Sequence, residues 1–134
     1  MIGIVVVSHG ALAAELLRAT EHVVGDLAQA EAIGIGPDDD PAVCRKNIAA
    51  AAQRADSGDG VVLLTDMFGG TPSNLAISIM EGAKIEVIAG VNLPMLVKLA
   101  QTRDRAGLKE CAAAAEEAGR KYIRIASQVL GQSA

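Results

Sequence analysis

The sequence predicts an α/β fold: a single domain with an open, mainly parallel sheet of about four strands and helices on both faces. Three observations predict it. Two short runs, Ile2–Val7 and Val61–Thr65, are apolar throughout and rich in β-branched residues, as strands buried on both faces are. Strand-like and helix-like segments alternate along the whole chain. The 134 residues suit one domain with a packed core and no disulfide or metal staple.

The elements follow in order. Ile2–Val7 is the first strand, with Ser8, His9 and Gly10 at its end. Ala11–Val24 places Leu12, Leu16, Ala19 and Val23 at helical spacing, and Gly25 is its stop. Gln29–Ile35 alternates weakly and reads as a second strand. Asp40 and Pro41 suit a helix cap and first helical position, so Ala42–Ala55 is an alanine-rich helix. Val61–Thr65 is the third strand, closed by Asp66. Thr71, as cap, and Pro72, in the first position, open a helix reaching about Met80. Lys84–Ala89 is the fourth strand. Pro94 starts a helix to about Ala100, and Leu108–Lys121 is a long last helix. Tyr122–Leu130 fits two readings: Ile123 and Ile125 alternate as in a strand, whereas Ile125, Val129 and Leu130 suit a helix.

Composition removes several function classes. The net charge is -4 and the 12 basic residues are scattered, so no nucleic-acid footprint is expected. Phe68 and Tyr122 are the only aromatics, too few to stack bases or sugars. Cys44 and Cys111 lie far apart without metal-ligand spacing and read as small core residues; with only two histidines no metal site is expected. The apolar start ends at Ser8 and lacks a basic leader, so neither a signal peptide nor a membrane span is expected, and the chain reads as cytoplasmic. The isolated Gly34 and Gly36 make a loop, since no third glycine opens a helix at dinucleotide-binding distance. Asp38–Asp40 reads as a solvated loop with a cap, and His22 as a surface residue.

Ligands of open parallel sheets bind beyond the carboxyl ends of the strands. His9 stands at the end of the first strand and Asp66 at the end of the third. If these strands are neighbours, the two meet. A carboxylate on Nδ1 fixes the imidazole tautomer, frees the Nε2 lone pair and stabilises the cation formed when Nε2 attacks an electrophile. The bland alternatives are a histidine closing a strand and an aspartate closing a turn. After Asp66 comes Met67-Phe68-Gly69-Gly70-Thr71-Pro72. Two glycines at a helix start allow close backbone approach, and the free amides there suit a phosphate. The same run is also compatible with a plain tight turn. Met67 and Phe68 either shield the site or belong to a docking surface.

These residues resemble the enzyme IIA domain of the mannose family of the bacterial phosphoenolpyruvate-dependent sugar phosphotransferase system. The resemblance spans nearly the whole chain. It rests on Ile4–Gly10, Asp66–Asn74 and Ala89–Val97, three motifs in order. It implies a phosphoryl carrier in which His9 accepts a phosphoryl group from the phosphocarrier HPr and passes it to a histidine of an enzyme IIB partner. Asp66 would orient His9. The amides of Gly69, Gly70 and Thr71, with the Thr71 hydroxyl, would hold the phosphoryl oxygens, and Ser8 would add a hydrogen bond. No cofactor or metal is implied. The resemblance further implies a homodimer, in which the stretch around Arg120–Ala126 would have to supply a strand exchanged between subunits; since the chain ends soon afterwards with no linker, a stand-alone IIA domain is expected. Two other functions share parts of this site: a regulatory module reporting the phosphorylation of His9 to a partner without sugar transport, and a hydrolase. The latter would want a second acid or an arginine cluster near the site, and Arg18 and Arg103 lie outside the strand-end loops.

Overall fold

The computed structural model describes residues 1–80 and 84–131. In chain order the elements are β1 (Gly3–His9), α1 (Leu12–Val24), β2 (Ala30–Ile35), α2 (Pro41–Ala55), β3 (Val61–Thr65), α3 (Thr71–Ser78), β4 (Ile85–Ala89), α4 (Leu93–Thr102), α5 (Leu108–Lys121) and α6 (Ala126–Val129). The four strands form one parallel sheet in the order β2-β1-β3-β4.

This order explains the two layers of helices. The chain moves from β1 to β2 in one direction, then crosses back over β1 to reach β3. Right-handed crossovers in opposite directions leave their helices on opposite faces. One face holds Ile4, Val6, Val62 and Leu64 against Ala13 and Leu17 of α1, Leu96 and Leu99 of α4, and Cys111 and Ala115 of α5. The other holds Val5, Val7, Val61 and Leu63 against Ile48 and Ala51 of α2 and Ala76 of α3. Side chains of successive strand residues point to opposite faces, so the unbroken apolar runs of β1 and β3 feed both layers. Each fully buried aliphatic side chain contributes roughly 1.5–3 kcal/mol. Cys44 and Cys111 are free, buried thiols, as the sequence suggests.

Most boundaries shift by a residue or two. Strand β1 runs through His9 itself, beyond the expected Val7. Asp40 caps α2 through the Ala42 amide at 2.9 Å, with Pro41 first in the helix, as expected. Helix α3 ends at Ser78 rather than Met80. Helix α4 is longer than expected, because Asn92 caps it by accepting from the Met95 amide at 3.1 Å. In Tyr122–Leu130 only the helical reading is realised, as the short α6, and every residue from Lys121 to Gly131 is exposed. Among the described residues, no helix is long and apolar enough to cross a membrane.

Candidate functional site

Strands β1 and β3 are neighbours, with Val7 opposite Thr65. The sheet's strand order turns back between them, where parallel sheets open a crevice at their carboxyl end. His9 and Asp66 stand there together, although 57 positions separate them. His9 Nδ1 lies 2.7 Å from Asp66 Oδ2, and the His9 backbone amide donates to the same oxygen at 2.9 Å. The Met67 amide donates to the other carboxylate oxygen at 3.0 Å.

Burial pushes the Asp66 carboxyl up. The His9 amide, the His9 ring, its charge and the Met67 amide together outweigh that push and hold Asp66 below the usual carboxylate range. An ionised carboxylate only accepts, so in the neutral ring it is Nδ1 that carries the hydrogen and Nε2 that keeps its lone pair. The Asp66 side chain is 12% exposed and that of His9 55%. The orienting group is therefore sheltered while the reactive ring stands open.

The Cε1–Nε2 edge of that ring lies against Gly70. A Cβ on Gly70 would come within 3.2 Å of Cε1 and 3.6 Å of Nε2. Gly70, not Thr71, is the cap residue of α3; Thr71 is first in the helix and Pro72 second, and no side chain caps them. This corrects the expected cap by one position. Its cause is local: Gly70 adopts the extended cap conformation (φ -87°, ψ 174°) and its carbonyl accepts the first helical bond, from the Asn74 amide at 3.0 Å. The amides ahead of Asn74 have no helical partner, and the dipole of α3 favours an anion there. Gly69 has φ +91°, a left-handed turn that swings the loop back toward the ring. If His9 carries a phosphoryl group, as the resemblance above implies, Gly70→Ala is expected to slow its phosphorylation about 10²-fold with little change in melting temperature, since the added methyl crowds chiefly the ring edge. Single-turnover kinetics and a thermal melt check this.

Ser8 is fully buried, its hydroxyl accepts from the Ala13 amide at 2.7 Å, and it donates to the His9 carbonyl at 3.1 Å. Alternation along β1 turns Ser8 toward the α1 face, with Ile4 and Val6, while His9 turns the other way. Ser8 thus braces the turn after His9. Of the remaining residues singled out, Thr71 is exposed beside His9, where both line a cleft of about 450 Å³ walled by Ile35, Gly36, Pro37 and Asp39. His22 is exposed on α1. Arg18 pairs with Glu15 at 3.0 Å on the surface of α1. Arg103 is buried, where its guanidinium donates to the Ala28 carbonyl and its own carbonyl accepts from the Ile2 amide, beside the opposite end of β1. Neither arginine attends His9.

The family model for the IIA component of the fructose phosphotransferase system, EIIA-man, matches residues 3–116. The chain belongs to this family. The mannose-specific EIIAB component of Escherichia coli strain K12 is 34% identical over 125 residues, which are 92% of this chain and 39% of that relative. The chain therefore spans well under half the length of that relative. The mannose/sorbose-specific IIA subunit from Enterococcus faecalis superposes with a TM-score of 0.82 at 29% identity, over 92% of this chain and 93% of that one. A IIA protein associated with the fucose utilization operon of Streptococcus pneumoniae also reaches 0.82, at 27% identity and 95% coverage of both chains. The family is one of IIA components of phosphotransferase systems.

Proposed function

We propose that this protein is a cytoplasmic phosphoryl carrier of a sugar phosphotransferase system, accepting from phosphorylated HPr on His9 and donating to a histidine of a IIB partner. The 2.7 Å contact between His9 Nδ1 and Asp66 carries the reading. The Nε2 lone pair attacks phosphorus in line, the bond from phosphorus to the HPr nitrogen breaks, and that nitrogen recovers its electron pair. His9 becomes a phosphorylated imidazolium whose charge Asp66 balances. The phosphoryl oxygens then lie at the start of α3, near the amides of Gly69, Gly70 and Thr71 and the Thr71 hydroxyl. Passing the group on to IIB reverses the same steps, and positioning with charge stabilisation suffices for it.

The surroundings of His9 favour a protein partner. Leu12, Met67 and Phe68 are exposed around it (47%, 57% and 77%), an apolar fringe suited to docking. The decisive experiment incubates the chain with enzyme I, HPr and phosphoenolpyruvate and follows intact mass. One acid-labile, base-stable phosphoryl group is expected; none, with a competent HPr, refutes the carrier reading.

The same reading includes a homodimer. Among the described residues, strand β4 has a neighbour on one side only, and it is half-buried along its length. Tyr122, Ile123, Ile125, Val129 and Leu130 are each more than half exposed just beyond α5. An apolar segment without cover and a sheet edge without a partner satisfy each other when two copies meet. Light scattering is expected to give twice 13.7 kDa. A monomer at working concentration counts against the assembly.

A further inference from the structure

The sequence motif Gly90-Val91-Asn92 has no part in the chemistry described so far, yet it touches the residue beside Asp66. The Gly90 amide and the Val91 amide both donate to the Thr65 carbonyl, each at 2.9 Å. Thr65 is the last residue of β3, and the peptide that its carbonyl belongs to leads directly into Asp66. Two donors on one carbonyl fix the plane of that peptide, and with it the direction in which Asp66 leaves the strand. The Thr65 hydroxyl is buried without a hydrogen-bond partner, so the side chain does not do this holding.

The loop can offer two successive amides because Gly90 takes φ +91°, a conformation L side chains rarely adopt. Its far end is pinned as well. Asn92 donates from its side-chain nitrogen to the Gly119 carbonyl of α5 at 3.0 Å while its side-chain oxygen caps α4. Gly119 leaves room for this: a Cβ there would lie 2.8 Å from Met95 Cε and 3.4 Å from Asn92 Oδ1.

We infer that Gly90, with Asn92 pinning the loop behind it, positions Asp66 and thereby sets the tautomer and orientation of His9. Neither residue touches the phosphoryl site; both act through the Thr65–Asp66 peptide. A Cβ on Gly90 meets nothing within 4 Å, so a substitution there acts through backbone strain and not through a clash. The consequence for phosphoryl transfer rests on the carrier reading above, whereas the consequence for the His9 ring does not.

The test uses the full chain carrying Gly90→Ala, Gly90→Asn or Asn92→Ala. Proton–nitrogen NMR correlations of the imidazoles report which ring nitrogen holds the hydrogen, and His22 serves as the internal reference. In Gly90→Ala, His9 is expected to lose its fixed Nδ1-protonated form while His22 stays as in the wild type, and transfer from phosphorylated HPr to slow about tenfold or more. Gly90→Asn should recover much of both, because asparagine tolerates a positive φ better than alanine. An unchanged His9 tautomer in folded Gly90→Ala overturns the proposal. Where that variant does not fold, Asn92→Ala decides by the same criterion. A wild-type chain that never takes up phosphate sinks the carrier reading and leaves the tautomer test standing.

Discussion

A chain carrying His9→Ala is expected to take up no phosphoryl group from phosphorylated HPr and to keep its fold. Asp66 holds Nδ1, so the edge of the ring that bears Nε2 faces open solvent. Removing the ring costs one hydrogen bond to a charged acceptor, about 1–3 kcal/mol. The His9 and Met67 backbone amides stay on the carboxylate. His22 makes the control strict. It is exposed and pairs with no carboxylate among the described residues, so the variant retains an accessible imidazole and should still stay unlabelled. Intact-mass analysis with a circular-dichroism melt reads both halves of the prediction, and uptake at the wild-type rate removes His9 from its role.

How much of this was legible follows from where the information sits. Strands β1 and β3 are written plainly, because burial on both faces demands unbroken apolar runs, and their ends point to His9 and Asp66. Whether those ends meet depends on strand order, which local patterns do not encode; the order β2-β1-β3-β4 brings them together. The direction of Ser8 is legible as well. Period-two alternation places it on the opposite face from His9, and that rule applied to Ile4–His9 turns it toward α1. The cap of α3 was off by one because Thr is a good cap and Gly a tolerable one; the closeness of Gly70 to the ring decides, and only the fold shows it. The Gly90 loop read as a family motif without a task, since its donors act on a carbonyl in another strand. Tyr122–Leu130 kept two readings because a strand there would need a second edge to pair with, and one chain's sequence holds no such edge.

Replacing Asp66 by Asn tests the division of labour inside the pair. The amide is nearly isosteric with the carboxylate, so the fold should hold. Its oxygen still accepts, but its nitrogen now donates, and a donor facing Nδ1 drives the ring hydrogen to Nε2. The lone pair needed for attack is then occupied, and the imidazolium formed by phosphorylation loses its counter-charge. A loss on the order of 10²–10⁴-fold in the rate of His9 phosphorylation is expected. Stability carries an independent signature. Burial raises the Asp66 carboxyl, and the His9 and Met67 hydrogen bonds lower it further than burial lifts it, so its folded value lies below its unfolded one. Such a group stabilises the fold fully above the unfolded value, and the contribution disappears as pH falls through the folded value. The melting-temperature gap between wild type and Asp66→Asn should therefore be open near neutral pH and close in acid. A rate within a factor of about two of wild type, together with a gap independent of pH, would make Asp66 a turn residue and leave the orientation of His9 to Gly70 and the backbone.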